Sequence, residues 1–275
     1  MTLSDEQLER YARHIILREV GGAGQARLRD ARVLIVGAGG LGSPALLYLS
    51  AAGVGTIGVI DDDEVSLSNL QRQIAHRTQD IGRLKVESAS DSARAINPDT
   101  HINRHATRLN AHNAFDLVKN YDIVLDGSDN FATRFLVNDA CYLVGRTLVS
   151  AAVGQFDGQL AVFKAHSLVD GARAYPCYRC LFPDAPPPGA VASCTEAGIL
   201  GALTGVMGTL QALEALKEIL EIGDTMAGRL ILYDGLGGTF RTVKVKPDPT
   251  CALCGPQATI RDLSYHTAAS AVCAP

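Results

Sequence analysis

Three glycines, Gly37, Gly39 and Gly42, form the pattern G-x-G-x-x-G in VGAGGLGSPALL, between the apolar run RVLIV and a stretch with helical spacing. Glycine at these places allows a tight turn and lets a phosphate approach the backbone N–H groups at a helix N-terminus. Asp61 closes the next apolar run, TIGVID, where a carboxylate can accept from a ribose hydroxyl. These four residues imply a nucleotide without saying which. A nicotinamide dehydrogenase, the first rival, needs a hydride pocket and usually a His or Lys proton relay at a later strand end. The polar residues that follow are instead SLSNLQRQ, Lys85 and DGSDNFATR. Arg72 and Lys85 are two cations arriving where a triphosphate leaving the glycine loop would lie, and Asp129 is a carboxylate able to hold Mg²⁺ against those phosphates. Such charges stabilise a reacting phosphate and have no use in hydride transfer. Each residue alone reads equally well as surface charge; only the set points to phosphate chemistry. The neighbouring Asp62, Asp63 and Glu64 read as a solvated acidic turn.

A second group could bind metal. CYRC holds Cys177 and Cys180, and CALC holds Cys251 and Cys254. Two C-x-x-C knuckles supply four thiolates, the ligand set of a closed tetrahedral structural Zn²⁺ site. Their wide separation means that such a metal would tie distant segments together. Redox activity is the alternative, but neither pair opens a helix after a strand. Cys141 reads as a small buried hydrophobe and Cys273 lies near the C-terminus. For Cys194, just after the proline-rich loop, two readings stand: a nucleophile near a helix N-terminus, or an incidental thiol.

The elements that must position these groups follow from periodicity. Ser4 and Gln7 have capping-box spacing and precede a short helix; the GGAG at 21–24 reads as a break before a second helical piece. RVLIVG and TIGVID look like buried parallel strands, with LGSPALLYLSAAG as the crossover helix. Helices are expected from Leu84 and near NAFDLVKN and NFATRFLVNDACYLVG, and strands at HINRH, at DIVLDGSD ending on Asp129, and at TLVSAAV. This alternation predicts a doubly wound, Rossmann-like, mainly parallel α/β sheet. A β-rich C-terminal part containing the zinc site extends it, with strands at GQFDGQLAVFK, RLILYDG and TFRTVKVK. The expected divisions are 1–30 as N-terminal helices, 31–155 as the nucleotide-binding part, 156–255 as the zinc-containing part, and 256–275 as a frayed tail. The loop from Pro183 to Cys194 reads as mobile.

Bulk properties remove other classes. With 47% hydrophobic residues in 275, the chain can bury a substantial core. A formal net charge of -4 offers no basic field for nucleic acid. The N-terminus has charges throughout and no apolar core of a signal peptide, which predicts a cytoplasmic location and, with seven cysteines, argues against a disulfide framework. The uncharged stretch Ala197–Leu213 is rich in glycine and leads into EALKEILE, so it reads as a buried helix, not a membrane span.

Taken together, RYARHIILREVGGAGQ, the stretch from VLIVGAGG to SNLQRQ, GRLKVESA, INP, DGSDNFATRFLVNDA, PCYRC, GVMGTLQALEALK and the last cysteine pair resemble the E1-like adenylyltransferases of the MoeB/ThiF/HesA group. The resemblance runs to Gly255. It implies that ATP adenylylates the C-terminal glycine carboxylate of a ubiquitin-like sulfur-carrier protein ending in Gly-Gly, with release of pyrophosphate. It implies that Gly40 and Asp61 hold the nucleotide, the latter at the ribose. Ser68, Asn69, Leu70, Gln71 and Arg72, with Lys85, would lie along the phosphates. It further implies that Asp129 organises Mg²⁺ with Asn130 adjoining the nucleotide, that Arg13 is lent across a homodimer, and that Cys194 matches a crossover-loop cysteine which in some members links to the carrier. CTEAG is closer to the molybdopterin branch, making the molybdopterin synthase small subunit the expected carrier and the thiamine-pathway carrier the alternative. No rhodanese-like domain follows, so the resemblance also implies a separate sulfur donor. A catalytically silent zinc-stapled module is the third possibility, against which the intact set of charged residues argues.

Overall fold

The run Arg32–Val36 shows no polar alternation because both of its faces are covered. In the structure, a computed structural model describing residues 3–187 and 197–270, it is β1. Val33 and Ile35 pack into one core with Ile57, Val59, Leu46 and Leu49; Leu34 and Val36 pack into a second with Val124, Leu148, Phe135 and Val137. A strand buried on both faces needs a continuous apolar run, which is what the sequence supplies.

The chain order is α1 (Asp5–Arg10), α2 (Ala12–Ile15), α3 (Gly21–Asp30), β1, α4 (Gly42–Ala52), β2 (Thr56–Ile60), α5 (Lys85–Ile96), β3 (His101–His105), α6 (Ala114–Val118), β4 (Ile123–Asp126), α7 (Phe131–Val144) and β5 (Thr147–Val153). Then follow β6 (Asp157–Phe163), the small hairpin β7 (Leu168–Val169) and β8 (Ala172–Arg173), α8 (Tyr178–Leu181), α9 (Gly201–Leu220), β9 (Arg229–Asp234), β10 (Thr239–Lys244) and α10 (Ser264–Ser270). One eight-stranded sheet runs in the order β10-β9-β6-β5-β4-β1-β2-β3. Its first five strands in sequence are parallel; β6, β9 and β10 join antiparallel. This is the expected Rossmann-like sheet with a β-rich extension. The apolar stretch expected to be a buried helix contributes to α9, which lies against α4, β5 and β6. No helix among the described residues is long and apolar enough to cross a membrane.

Three local expectations are corrected. The GGAG stretch does not break the helix: α3 begins at Gly21, and the break falls at residues 16–20. A Cβ on Gly24 would sit 3.0 Å from Leu220 Cδ2, so glycine is there for close packing against the end of α9. The strand DIVLDGSD does not end on Asp129 but on Asp126, which is fully buried. The tail does not fray as far as it is described. Ile260 and Leu263 are buried, and His266 Nε2 donates to Asp139 Oδ2 at 2.8 Å. The expected mobile loop lies partly, and Cys194 and Cys273 wholly, outside the described residues.

Asp139 organises that end of the molecule. Fully buried, it accepts from Arg179 Nε at 2.9 Å and Nη2 at 2.8 Å as well as from His266. Arg179, also buried, lies over the Phe135 and Tyr265 rings. Removing one member of a buried pair leaves the other charge uncompensated, at about 3–5 kcal/mol. Asp139→Ala should therefore lower the unfolding midpoint in urea by a loss of that order; an unchanged midpoint would show that Arg179 does not depend on this carboxylate.

Candidate active site

Parallel pairing sets Val36 opposite Ile60 on one side and opposite Asp126 on the other. Three strands therefore end on one line, and the loops that leave them start together. A cleft of about 290 Å³ opens at this edge. It lies where the strand order reverses between β1 and β4, the usual ligand position of an open α/β sheet.

The glycine loop forms one wall. Gly37 has φ +91°, and a Cβ on Gly42 would lie 1.9 Å from the Gly37 carbonyl oxygen, so the turn closes only without side chains. Gly37, Gly39 and Gly40 line the cleft, whereas Gly42 is packed behind them as the first residue of α4. The N–H groups of Gly39 and Gly40 have no acceptor among the described residues. Asp61 follows β2; its Oδ2 accepts from Ala38 N at 2.8 Å and its Oδ1 from Asp63 N at 2.9 Å. Burial pushes the Asp61 carboxyl above its ordinary value, and the nearby Lys85 ammonium pulls it partly back.

Lys85 is the first residue of α5 and is 6% exposed. Its Nζ lies 2.6 Å from Asp63 Oδ2 and 3.9 Å from Asp61 Oδ1. Asp62, Asp63 and Glu64 are all exposed, as a solvated turn would be, but Asp63 is also the counter-ion of a buried lysine. Spacing did not reveal this, because Asp63 and Lys85 meet through an isolated bridge between Glu64 and Leu84.

The opposite wall rests on Asp126, a residue the sequence did not single out. Its Oδ1 accepts from Ser128 N at 3.0 Å and Ser128 Oγ at 2.6 Å, and its Oδ2 from Ser150 Oγ at 2.9 Å. Arg134 donates to the Ser128 and Ala151 carbonyls at 2.6 and 2.8 Å and lies 3.5 Å from Asp126. The loop so held presents the exposed Asp129 to the cleft. Asn130 caps α7, its Oδ1 accepting from Thr133 N at 2.9 Å. Asp129, Asn130, Arg72, Lys85 and Asp61 thus line a single cleft.

Other expected residues lie elsewhere. Of the SNLQR run, only Arg72 lines the cleft; Ser68, Asn69, Leu70 and Gln71 form the adjoining turn, with the Ser68 carbonyl accepting from Arg72 Nη1 at 3.1 Å. Arg13 is exposed on α2, outside the cleft of its own chain. Gln73, Thr107, Arg108 and Thr204 line the cleft without having been foreseen. Gln73 is buried, and its Oε1 has no partner among the described residues. Thr107 and Arg108 could have been found from the rule that residues beyond a parallel strand's carboxyl end face the ligand.

Away from the cleft, the four knuckle cysteines converge. Their sulfurs all lie within 4.8 Å of one another, with Cys177–Cys180 at 3.9 Å, Cys177–Cys251 at 3.5 Å and Cys180–Cys254 at 3.4 Å. Four thiolates about 2.3 Å from a tetrahedral zinc ion would stand about 3.8 Å apart. The donor set fits zinc.

Residues 11–253 match the ThiF family model. The chain is 50% identical over 268 residues to the sulfur carrier protein adenylyltransferase of Thermus thermophilus, covering 98% of each. It is 47% identical to the SAMP-activating enzyme E1 of Haloferax volcanii, covering 96% of each. It is also 50% identical to the probable adenylyltransferase/sulfurtransferase MoeZ of Mycobacterium tuberculosis, of which it spans only 62% while 90% of the chain is matched. The fold resembles that of E. coli MccB crystallised with MccA-N7isoASN, with a TM-score of 0.78 over 91% of this chain and 76% of that one, at 20% identity. The chain belongs to the ThiF family and is an enzyme of the E1-like adenylyltransferase class.

Proposed function

We propose that the chain uses ATP to adenylylate the C-terminal glycine carboxylate of a ubiquitin-like sulfur-carrier protein. The observation that carries this reading is the meeting, at one sheet edge, of a glycine loop whose Gly39 and Gly40 amides have no acceptor among the described residues, the cations Arg72 and Lys85, and the exposed carboxylate of Asp129. The names of the relatives that match along nearly their whole length support it.

A carboxylate oxygen of the carrier bonds to the α-phosphorus, the bond from that phosphorus to the bridging oxygen breaks, and pyrophosphate leaves with the electron pair. Negative charge builds on the phosphate oxygens, and preorganised donors aimed at it lower the barrier. Gly37, Gly39 and Gly40 offer backbone, Arg72 and Lys85 offer charge, Asp61 takes the ribose, and Asn130 adjoins the nucleotide. Asp129 would hold Mg²⁺, which when bound neutralises phosphate charge. The molybdopterin synthase small subunit is the carrier we assign first, and the thiamine-pathway carrier second. Arg13, exposed and outside its own cleft, is assigned to the partner's site in a homodimer. Cys194 is assigned to a covalent link with the carrier. Zn²⁺ held by Cys177, Cys180, Cys251 and Cys254 would tether the chain on both sides of α9.

Carrier-dependent ATP–pyrophosphate exchange tests the reading; silence with both carriers, together with NAD binding, would replace it with an oxidoreductase. Asp129→Ala should abolish exchange without moving the thermal midpoint, and retained exchange would remove Asp129 from the mechanism. A heterodimer of Arg13→Ala with Asp129→Ala has one intact composite site if Arg13 acts across the interface, and should regain about half of the wild-type rate; no recovery in verified heterodimers refutes sharing. Cys177→Ser should lower zinc content and thermal midpoint together, because structural zinc is worth roughly 10–16 kcal/mol in small peptide sites. Unchanged zinc stoichiometry would exclude this site.

A further inference from the structure

Ala38 stands between the first two glycines of the loop and is held from both ends. Its N–H donates to Asp61 Oδ2 at 2.8 Å, and its carbonyl lies 2.9 Å from His76 Nε2. A carbonyl oxygen only accepts, so Nε2 carries a proton. The other ring nitrogen, Nδ1, lies 2.9 Å from Ser88 Oγ, which in turn is 2.8 Å from Asp80 Oδ2. Asp80 also accepts from Arg83 Nη1 at 2.8 Å and from Arg77 N at 3.0 Å. His76, Ser88 and Asp80 are all buried, and neither His76 nor Ala38 lines the cleft. Burial also pushes the imidazole below its ordinary value.

The Ala38 carbonyl and the Gly39 N–H belong to one planar peptide unit, and no cis peptide occurs among the described residues. Fixing the oxygen therefore fixes the N–H, which points the opposite way. Between Ala38 and a glycine such a unit turns over at little steric cost, because glycine accepts both signs of φ. An external anchor is what selects one orientation. Gly39 lines the cleft, and its N–H has no acceptor within the described chain.

We propose that His76 is a positioning residue of the nucleotide site, its hydrogen bond to the Ala38 carbonyl aiming the Gly39 amide at the nucleotide phosphates. The proposal rests on the adenylyltransferase reading above. It places the loss in His76 variants on ATP and not on the carrier, because the amide that His76 positions, that of Gly39, is assigned to the nucleotide phosphates.

The test is steady-state ATP–pyrophosphate exchange by the full chain carrying His76→Leu, His76→Gln or Ser88→Ala. Leucine cannot donate; glutamine can donate to the same carbonyl from its amide nitrogen. His76→Leu should raise the KM for ATP about tenfold, the size of one hydrogen bond, with the carrier KM unchanged, and His76→Gln should return the ATP KM to within about twofold of wild type. Unchanged ATP KM in His76→Leu, or equal rises for ATP and carrier that glutamine does not reverse, overturns the proposal. If His76→Leu does not fold, Ser88→Ala decides: a selective rise in ATP KM of about two- to threefold supports the anchor, and no rise refutes it. Wild-type chain that neither exchanges nor binds ATP would instead overturn the adenylyltransferase reading itself.

Discussion

The in-register ending of β2, β1 and β4 is the constraint on which the rest depends. Val36 faces Ile60 and Asp126 across two parallel ladders, so Gly37, Asp61 and Gly127 leave the sheet at one level. From β1 the chain builds outward to β2 and β3 on one side, then returns to build β4 and β5 on the other. Neighbouring crossovers consequently diverge at that line and leave a gap. A slip of one residue in either ladder would carry each alternate apolar side chain to the wrong core and separate the loops as well.

Among the described residues, every buried charged side chain is paired. Asp126 holds the loop before α7; Asp139, near the middle of α7, holds Arg179 between the two cysteines of the first knuckle and His266 near the C-terminus. One helix thus carries the supports of two distant features. Isolated buried ions would be costly, and these are satisfied by several donors each.

Where a segment obeys one strong local rule, the sequence discloses it. The parallel strands were legible from unbroken apolar runs, the N-terminal cap from Ser4 and Gln7, and the cysteine cluster from two knuckles. Glycine was legible at Gly37 and Gly42, where the turn demands it, and misleading at Gly24, where the demand comes from Leu220 far along the chain. The charged members of the cleft were legible as residue types, but their partners were not. Asp63 is surface, but its pairing was hidden because its lysine arrives from another segment, and Asp126 is strand, but its role was hidden because its partners are Ser128 and Ser150. Gln73 and His76 differ from other polar loop residues only through burial, which one-dimensional spacing does not encode.

The bond between Lys85 and Asp63 bears on the energetics of filling the cleft. Lys85 is almost wholly enclosed, while the Asp63 side chain is 67% exposed. The lysine's dehydration was met when the protein folded, with the aspartate as resident counter-ion. On the proposed reading, a phosphate entering beside Lys85 would replace one anion with another, and the displaced carboxylate would turn into water that already bathes it. Occupancy there would be a metathesis between ions that asks little reorganisation of the lysine, whose charge already has a partner in the empty cleft.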